Sequence, residues 1–400
     1  MSEEREHALL AASSAKKWLN CPPSARLEDL FEDKSSEAAE EGTLAHAMGE
    51  LKLRKLFVEI AMSERTFKTR LNKLKKDPRY QDEMDRFTDM YVEYVSTTAY
   101  AYPTAPYIAV EKKIDYSNIA PEGFGTADCV ILSGSDCHVF DFKYGKGVPV
   151  SAEANPQLSL YAVGVINAYK MFYPIDKVTL HIVQPRLNNI SYWETNAKEL
   201  NTWANVIVKP AAALAFDGKG EFKQGAWCDD SFCKAAATCK HRSDENLELV
   251  KYDGAEPPSL LSNLAVGEIL EKAQFLSKWV KKLEKYALDQ LVKGNEIPGW
   301  KIVEGRSNRT ITDFDKAFEA LQAAGYEKAL LYESKPLSLT EVEKIISSDD
   351  YSNILSQFIE KPQGSPTLAL HNDKRPEMKL NNTAADDFGG ENIYKEDTVS

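Results

Sequence analysis

The chain has 400 residues, of which 43% are hydrophobic, and a net charge of −12. That length and apolar content fit a folded protein of about two domains. The acidic balance excludes a basic protein that coats nucleic acid over its whole surface, while leaving room for a local basic groove. Six cysteines without an apolar leader argue against a disulfide framework. No run reaches the roughly 18 apolar residues that a membrane helix needs, so a cytoplasmic protein with no membrane partner is expected.

In chain order, residues 10–20 predict a short helix that opens near Ser13-Ser14 and carries Trp18 and Leu19 on an apolar face. Cys21-Pro22-Pro23 stops it. Gly42-Thr43 precedes a second helical pattern through Leu44, Met48, Leu51, Leu53 and Leu56, with Thr43 as its expected cap. His46 and Glu50 lie four apart and share a face. Residues 64–99 read as further helices, basic at first and then amphipathic through Met84, Phe87, Tyr91 and Tyr94. Strand patterns follow at 107–111, 125–132 and 137–143, and Gly134-Ser135-Asp136 marks a hairpin between the last two. Residues 156–168 are predicted helical, 178–184 and 190–194 strands, and 196–215 a helix. Gly254-Ala255-Glu256-Pro257-Pro258 is the best internal boundary. Past it the pattern gives a long charged helix over 260–293 and a small α/β unit around 300–303 and 314–324. The tail, rich in Pro, Asn, Asp and Gly, is expected to be mostly disordered. The expected division is therefore 1–250, 251–360 and 361–400.

Asp141 and Lys143 stand two apart on a predicted strand, which puts both on one sheet face while Phe142 points into the core. The hairpin would bring Asp128 beside Asp141. Two carboxylates with a neighbouring carbonyl suit Mg²⁺ or Mn²⁺. Such an ion lowers the pKa of a bound water and stabilises charge developing on a phosphate, with Lys143 as a compact point charge beside it. Read alone, Asp-x-Lys is equally a surface pair on an edge strand, Asp128 a turn residue and His46 a half-buried helical histidine. Gln157 and Tyr161 sit one turn apart on one helix face. Tyr161 suits the core or a phosphate, and Gln157 a DNA backbone or a metal-bound water. Glu111, at a strand end, reads as a salt-bridge residue or as a carboxylate behind the metal. The densest basic run is Lys68, Arg70, Lys73, Lys75, Lys76 and Arg79. It is a candidate DNA-binding stretch, above all through Lys73, Lys75 and Lys76, or a solvated helix face.

Cys228-x4-Cys233-x5-Cys239 packs three thiols into a short Gly-, Asp- and Ser-rich stretch. Three thiolates can share one metal or cluster, which then requires a fourth ligand. Cys21 supplies it if the two ends of the region meet; His241 would make a local site but has a tight reach so soon after Cys239. Cys129 and Cys137 fall within strand patterns and read as small buried hydrophobes.

The ordered set Gly42-x-x-x-His46, Gly125-Thr126-Ala127-Asp128, Asp141-Phe142-Lys143 and Gln157-x-x-x-Tyr161 resembles the RecB-like branch of the PD-(D/E)XK nucleases over residues 10–245. The resemblance implies an α/β fold with a restriction-endonuclease-like core, a mixed central sheet flanked by helices, followed here by a smaller C-terminal α/β region. It implies His46, Asp128 and Asp141 as metal ligands, with Asp128, Asp141, Lys143, Gln157 and Tyr161 in the catalytic set. It also implies Mg²⁺- or Mn²⁺-dependent cleavage of DNA ends or single strands. A subset of this branch, including the AddB subunit and CRISPR-associated exonucleases, holds a [4Fe–4S] cluster with one cysteine before the core and three after it. Cys21, Cys228, Cys233 and Cys239 match that arrangement. The commoner spacing has two residues in the first gap of the trailing trio, where this chain has four, which keeps zinc as the alternative to iron–sulfur. Pro298-Gly299-Trp300-Lys301, Gly305-Arg306-Ser307-Asn308-Arg309 and Lys361-Pro362-x-Gly364-x-Pro366-Thr367-Leu368 resemble the C-terminal part of a phage- and prophage-associated group. Phage recombination, repair or replication proteins are the partners that this implies. The alternatives are a catalytically weak DNA-binding module on the same fold and a zinc-bound structural partner of such a complex.

Overall fold

The computed structural model describes residues 8–32, 36–248 and 263–303, with single positions beyond. The chain divides into two compact units, Met1–Trp300 and Lys301–Ser400. The segments 254–258, 305–309 and 361–368 and the tail expected to be disordered lie outside the described residues, as does nearly all of 314–324.

The first unit opens with a 3-10 turn, Ala12–Ser14, that runs into α1 (Ala15–Asn20). Trp18 anchors it, buried and donating from Nε1 to Ala11 O at 3.1 Å. Cys21 ends α1, and Pro22-Pro23 lead into α2 (Ser24–Glu28). Next come α3 (Glu37–Leu53), α4 (Glu64–Leu74) and α5 (Glu83–Tyr100). The expected start of α3 at Gly42-Thr43 is corrected: Ser36 is the cap, its hydroxyl accepting from Ala39 N. Thr43 lies inside the helix and donates back to Ala39 O at 3.0 Å. Glu37 and Glu40 fill the first turn, where carboxylates complement the helix dipole.

Five strands follow: β1 (Tyr107–Asp115), β2 (Phe124–Ser133), β3 (Asp136–Phe142), β4 (Lys177–Gln184) and β5 (Asn189–Asn196). They form one sheet in the order β1-β2-β3-β4-β5. Gly134, at φ 58°, makes the tight β2–β3 hairpin. β3 and β4 are parallel and the other pairs antiparallel, so the sheet is mixed. A parallel pair needs a crossover, and α6 (Pro156–Tyr169) provides it; Asn155 caps α6 by accepting from Gln157 N and Leu158 N. After the sheet come α7 (Ala197–Trp203), α8 (Lys209–Asp217), α9 (Trp227–Asp230), α10 (Lys240–Leu247) and α11 (Asn263–Val292). A π-helical turn, Ala204–Val208, joins α7 to α8.

Alternation along the strands feeds two cores. On one face Val130, Leu132 and Val139 pack with Leu158, Leu160 and Val165 of α6 and with Trp18, Ala204 and Ala212. On the other, Cys129, Ile131, Phe140 and Phe142 pack with Leu44 and Met48 of α3 and Met84, Tyr91 and Val95 of α5. A chain of polar contacts crosses this second face. Tyr94 OH lies 3.0 Å from His181 Nδ1, His181 Nε2 lies 2.9 Å from His138 Nδ1, and His138 Nε2 lies 2.7 Å from Tyr102 OH. Tyr102 OH in turn donates to Asp136 Oδ2. Burial, and then the neighbouring His138, hold the His181 pKa down to about 3. α11, which the sequence places in a separate region, belongs to the first unit: Trp279 is buried and donates from Nε1 to Ala237 O at 3.0 Å.

Candidate functional site

Glu111, Asp128 and Asp141 form a row across three adjacent strands. Val110 pairs with Cys129 and Lys112 with Ala127, which sets Glu111 opposite Asp128. One step beyond the Cys129–Phe140 pair, the β2–β3 register sets Asp128 opposite Asp141. There β3 parts from β2 while staying paired with β4, and Asp128 Oδ2 accepts from Phe142 N at 2.6 Å in place of a ladder bond to β2. Glu111 has φ 49°, a left-handed conformation that twists β1 at this point.

Helices on both faces add to the row. From α3, His46 Nδ1 lies 3.4 Å from Asp128 Oδ1, its ring edge against Phe142. From α6, Gln157 Nε2 donates to Asp141 Oδ1 at 3.0 Å, and Gln157 Oε1 accepts from Lys143 Nζ at 3.3 Å. Tyr161 OH is 3.5 Å from Gln157 Nε2. The Tyr161 ring lies so close to Gly125 that a Cβ there would stand 2.8 Å from it, so Gly125 in the Gly-x-x-Asp segment is needed for close approach. The structure thus brings together His46, Asp128, Asp141, Lys143, Gln157 and Tyr161. Glu111 joins them: it, His46 and Asp128 each offer an atom within 4.8 Å of the others. The sequence reads it as a salt-bridge residue or a carboxylate behind the metal, and the β1–β2 register sets it directly opposite Asp128.

The electrostatics share one origin. Burial lowers the His46 pKa, but Asp128 and then Asp141 outweigh it and raise the pKa to about 9. Burial, reinforced by Asp128, pushes Glu111 up to about 7. Asp141 is also raised, by burial and against the pull of Lys143. Lys143 Nζ lies 2.8 Å from Asp141 Oδ2, so the ammonium is the partner of this buried oxygen. Three crowded carboxylates face one ammonium and one imidazole, and burial together with the remaining excess of negative charge keeps Glu111 and Asp141 raised. That set fits a hard divalent cation held by oxygens and one nitrogen.

The second cluster lies at the far end of the chain's path. Cys21, Cys228, Cys233 and Cys239 all line one cavity, with Lys17, His241 and Arg242 also on its wall. Cross-links hold the two segments together. Lys17 Nζ pairs with Glu28 at 2.6 Å and donates to Ser231 O at 3.2 Å, while Glu28 Oε1 accepts from Lys234 N. The four-residue gap after Cys228 is absorbed by Phe232, which takes φ 50° and turns outward, 84% exposed. Burial raises the thiol pKa of Cys21 and Cys228 and pushes Cys233 up to about 12. Four cysteines on the wall of one cavity suit a soft metal or an iron–sulfur cluster, with no three of these described sulfurs within 4.8 Å of one another. His241 borders the same cavity but pairs with Glu245 at 3.2 Å on the outer side of α10. Cys129 and Cys137 are fully buried in the two different cores, away from this cavity.

Of the basic run, Lys73 and Lys76 are exposed on and just beyond the end of α4. Lys75 is committed to Asp85 and lies over the Tyr80 ring. Arg79 is tied to Asp77 and Glu40.

Fold and sites together define an α/β protein with a carboxylate–histidine–lysine centre where β3 parts from β2 in a mixed sheet, and a separate four-cysteine cavity. The chain belongs to the family described as protein of unknown function (DUF2800), which matches residues 7–376. The solved crystal structure of SSO0001 is similar at 14% identity, covering 57% of this chain and 94% of that chain, with a TM-score of 0.23. That likeness is too slight to bear on fold or function. Among the described residues no helix is long and apolar enough to cross a membrane.

Proposed function

We propose that this chain is a metal-dependent deoxyribonuclease of the RecB-like PD-(D/E)XK type. It would cleave DNA ends or single strands during phage recombination, repair or replication in the bacterial cytoplasm. The observation that carries the reading is the convergence of His46, Glu111, Asp128 and Asp141 beside the Lys143–Gln157 pair, with the buried Asp141 carboxylate shared between Lys143 and Gln157. His46, Asp128 and Asp141 would hold Mg²⁺ or Mn²⁺, with Glu111 beside them. A bound divalent cation supplies an activated water and Lewis-acid stabilisation of phosphate charge. Lys143 places an ammonium next to that charge. Gln157 fixes both Asp141 and Lys143 in one orientation, and Tyr161 presents its hydroxyl at the same edge. Exposed Lys73 and Lys76 are the candidate phosphate contacts.

In the same reading, Cys21, Cys228, Cys233 and Cys239 jointly hold a [4Fe–4S] cluster, and zinc is the competing occupant. Anaerobic purification, metal and sulfide analysis, and digestion of labelled single- and double-stranded DNA with and without Mg²⁺ or Mn²⁺ test both halves. The expected result is iron with sulfide, and cleavage only with the divalent ion. Binding of DNA with no cleavage in either metal would replace the nuclease by a DNA-binding module. Stoichiometric zinc without iron would replace the cluster.

A further inference from the structure

The cysteine cavity is braced from outside by a helix that the proposed chemistry does not use. Asp229, next to Cys228, takes two parallel hydrogen bonds from Arg242, at 3.1 and 3.0 Å, and its Oδ1 lies 3.2 Å from Lys282 Nζ on α11. Arg242 is 1% exposed and stands three residues past Cys239. It also donates to Gln224 Oε1, and Gln224 lines the cavity. Lys282 Nζ donates to the carbonyl of Cys228 itself at 3.3 Å. Three residues earlier on α11, Trp279 donates to Ala237 O, two residues before Cys239. One helix therefore grips the chain beside two of the four sulfurs, and one carboxylate joins that helix to the segments carrying both.

We propose that α11 is a sensor arm for the four-cysteine site: metal binding there and docking of α11 are coupled through Asp229, Lys282 and Trp279. This rests on the reading that the four cysteines bind metal jointly. The segment from Trp227 to Cys239 has little regular structure of its own, α9 being a single turn. Ligation of Cys228, Cys233 and Cys239 would fix its path and with it the positions of Asp229 and the Ala237 carbonyl. α11 leaves Leu264, Leu270, Leu288 and Val292 exposed, so few apolar contacts hold it. An element held by few buried contacts opens at low cost. A buried network of one carboxylate and two cations loses most of its value when one member shifts. Coupling of this kind is reciprocal: docked α11 must raise metal affinity by the same factor by which bound metal favours docking, and slower metal loss is how that gain is expected to show. Asp229, Lys282 and Trp279 are thus positioning residues for the sulfur site.

The test uses the full chain purified anaerobically, with hydrogen exchange followed by mass spectrometry before and after stripping by a chelator. Amide protection in α11 should fall at least tenfold on stripping while β2, β3 and β4 keep theirs. Lys282→Met should lose metal to the chelator at least tenfold faster than wild type with unchanged far-ultraviolet circular dichroism. Asp230→Asn, altering a neighbouring surface pair with Lys16, should not. Metal present but α11 protection unchanged on stripping, or protection lost equally across the sheet, overturns the sensor arm and leaves joint binding standing. A purified chain holding neither iron nor zinc overturns the joint-binding reading and the sensor arm with it.

Discussion

Gln157 donates to Asp141 at 3.0 Å, so the helix that follows β3 reaches back and sets the carboxylate of the strand it came from. The same amide accepts from Lys143, leaving neither member of the pair free to turn. Groups that orient a metal ligand are typically worth about 10–100-fold in activity or metal affinity. Gln157→Ala is expected to lower cleavage of labelled DNA by about that range with an unchanged melting profile. Activity within twofold of wild type would show that the bridge is only structural.

Removal of Asp141 or Lys143 should be more severe. In the proposed reaction each would act on charge that develops only during phosphodiester cleavage, an effect of several kcal/mol, or roughly a thousandfold. Asp141→Asn and Lys143→Ala should therefore drop cleavage at least that far while the folded far-ultraviolet spectrum persists. A folded variant of either kind with near wild-type cleavage would sink the assignment.

His46 and Glu111 face Asp128 from two different elements. His46→Ala and Glu111→Gln should each raise the Mg²⁺ or Mn²⁺ concentration needed for half-maximal cleavage, by about tenfold or more. Affinity for labelled DNA, measured without metal, should change little. The opposite pattern, lost DNA affinity at an unaltered metal requirement, would move these residues out of the metal centre.

The central strands were legible because β2, β3 and β4 are short apolar-rich runs, buried almost continuously where both faces are covered. β1 runs four residues further than its pattern indicates, since Lys112 and Lys113 point to solvent on an edge and only Ile114 returns to the core. The start of α3 was hidden for a similar reason: its first turn is an acidic, exposed run with no apolar period. His46, Asp128, Asp141, Lys143, Gln157 and Tyr161 were readable from spacings of two and four, the repeats that strands and helices impose. Glu111 was readable only as a salt-bridge residue or a carboxylate behind the metal, because a left-handed glutamate inside a strand gives no local sign that it faces Asp128 directly. The docking of α11 rests on Trp279 and Lys282 meeting single backbone carbonyls, which no periodicity reveals.

The buried histidine pair gives a pH-dependent signature. His181 has a folded pKa of about 3, below the ordinary value of 6.5. Between these values the unfolded chain binds a proton that the native protein refuses, so this contribution is present above pH 6.5 and is lost as pH falls. The loss is of the order of 2 kcal/mol by about pH 5. His46 and Glu111, whose values are raised, act with the opposite sign, but equally in wild type and in His181→Phe. Urea midpoints at neutral pH and at about pH 5 should show the wild type losing ground relative to His181→Phe as the solution is acidified. Parallel shifts in the two proteins would place the buried imidazole's cost elsewhere.

The cavity that gathers Cys21 with Cys228, Cys233 and Cys239 also orders events during synthesis. Cys21 leaves the ribosome early, and its three companions emerge only after about two hundred further residues, by which time all five strands are out. A group that needs all four sulfurs could be inserted only after the chain has emerged through Cys239, with the sheet already complete. A chain truncated ahead of α9 would present one lone thiol to the machinery that delivers metal. Under the proposed reading, filling of the cavity would mark molecules in which Cys21 has already met the segment that follows the sheet.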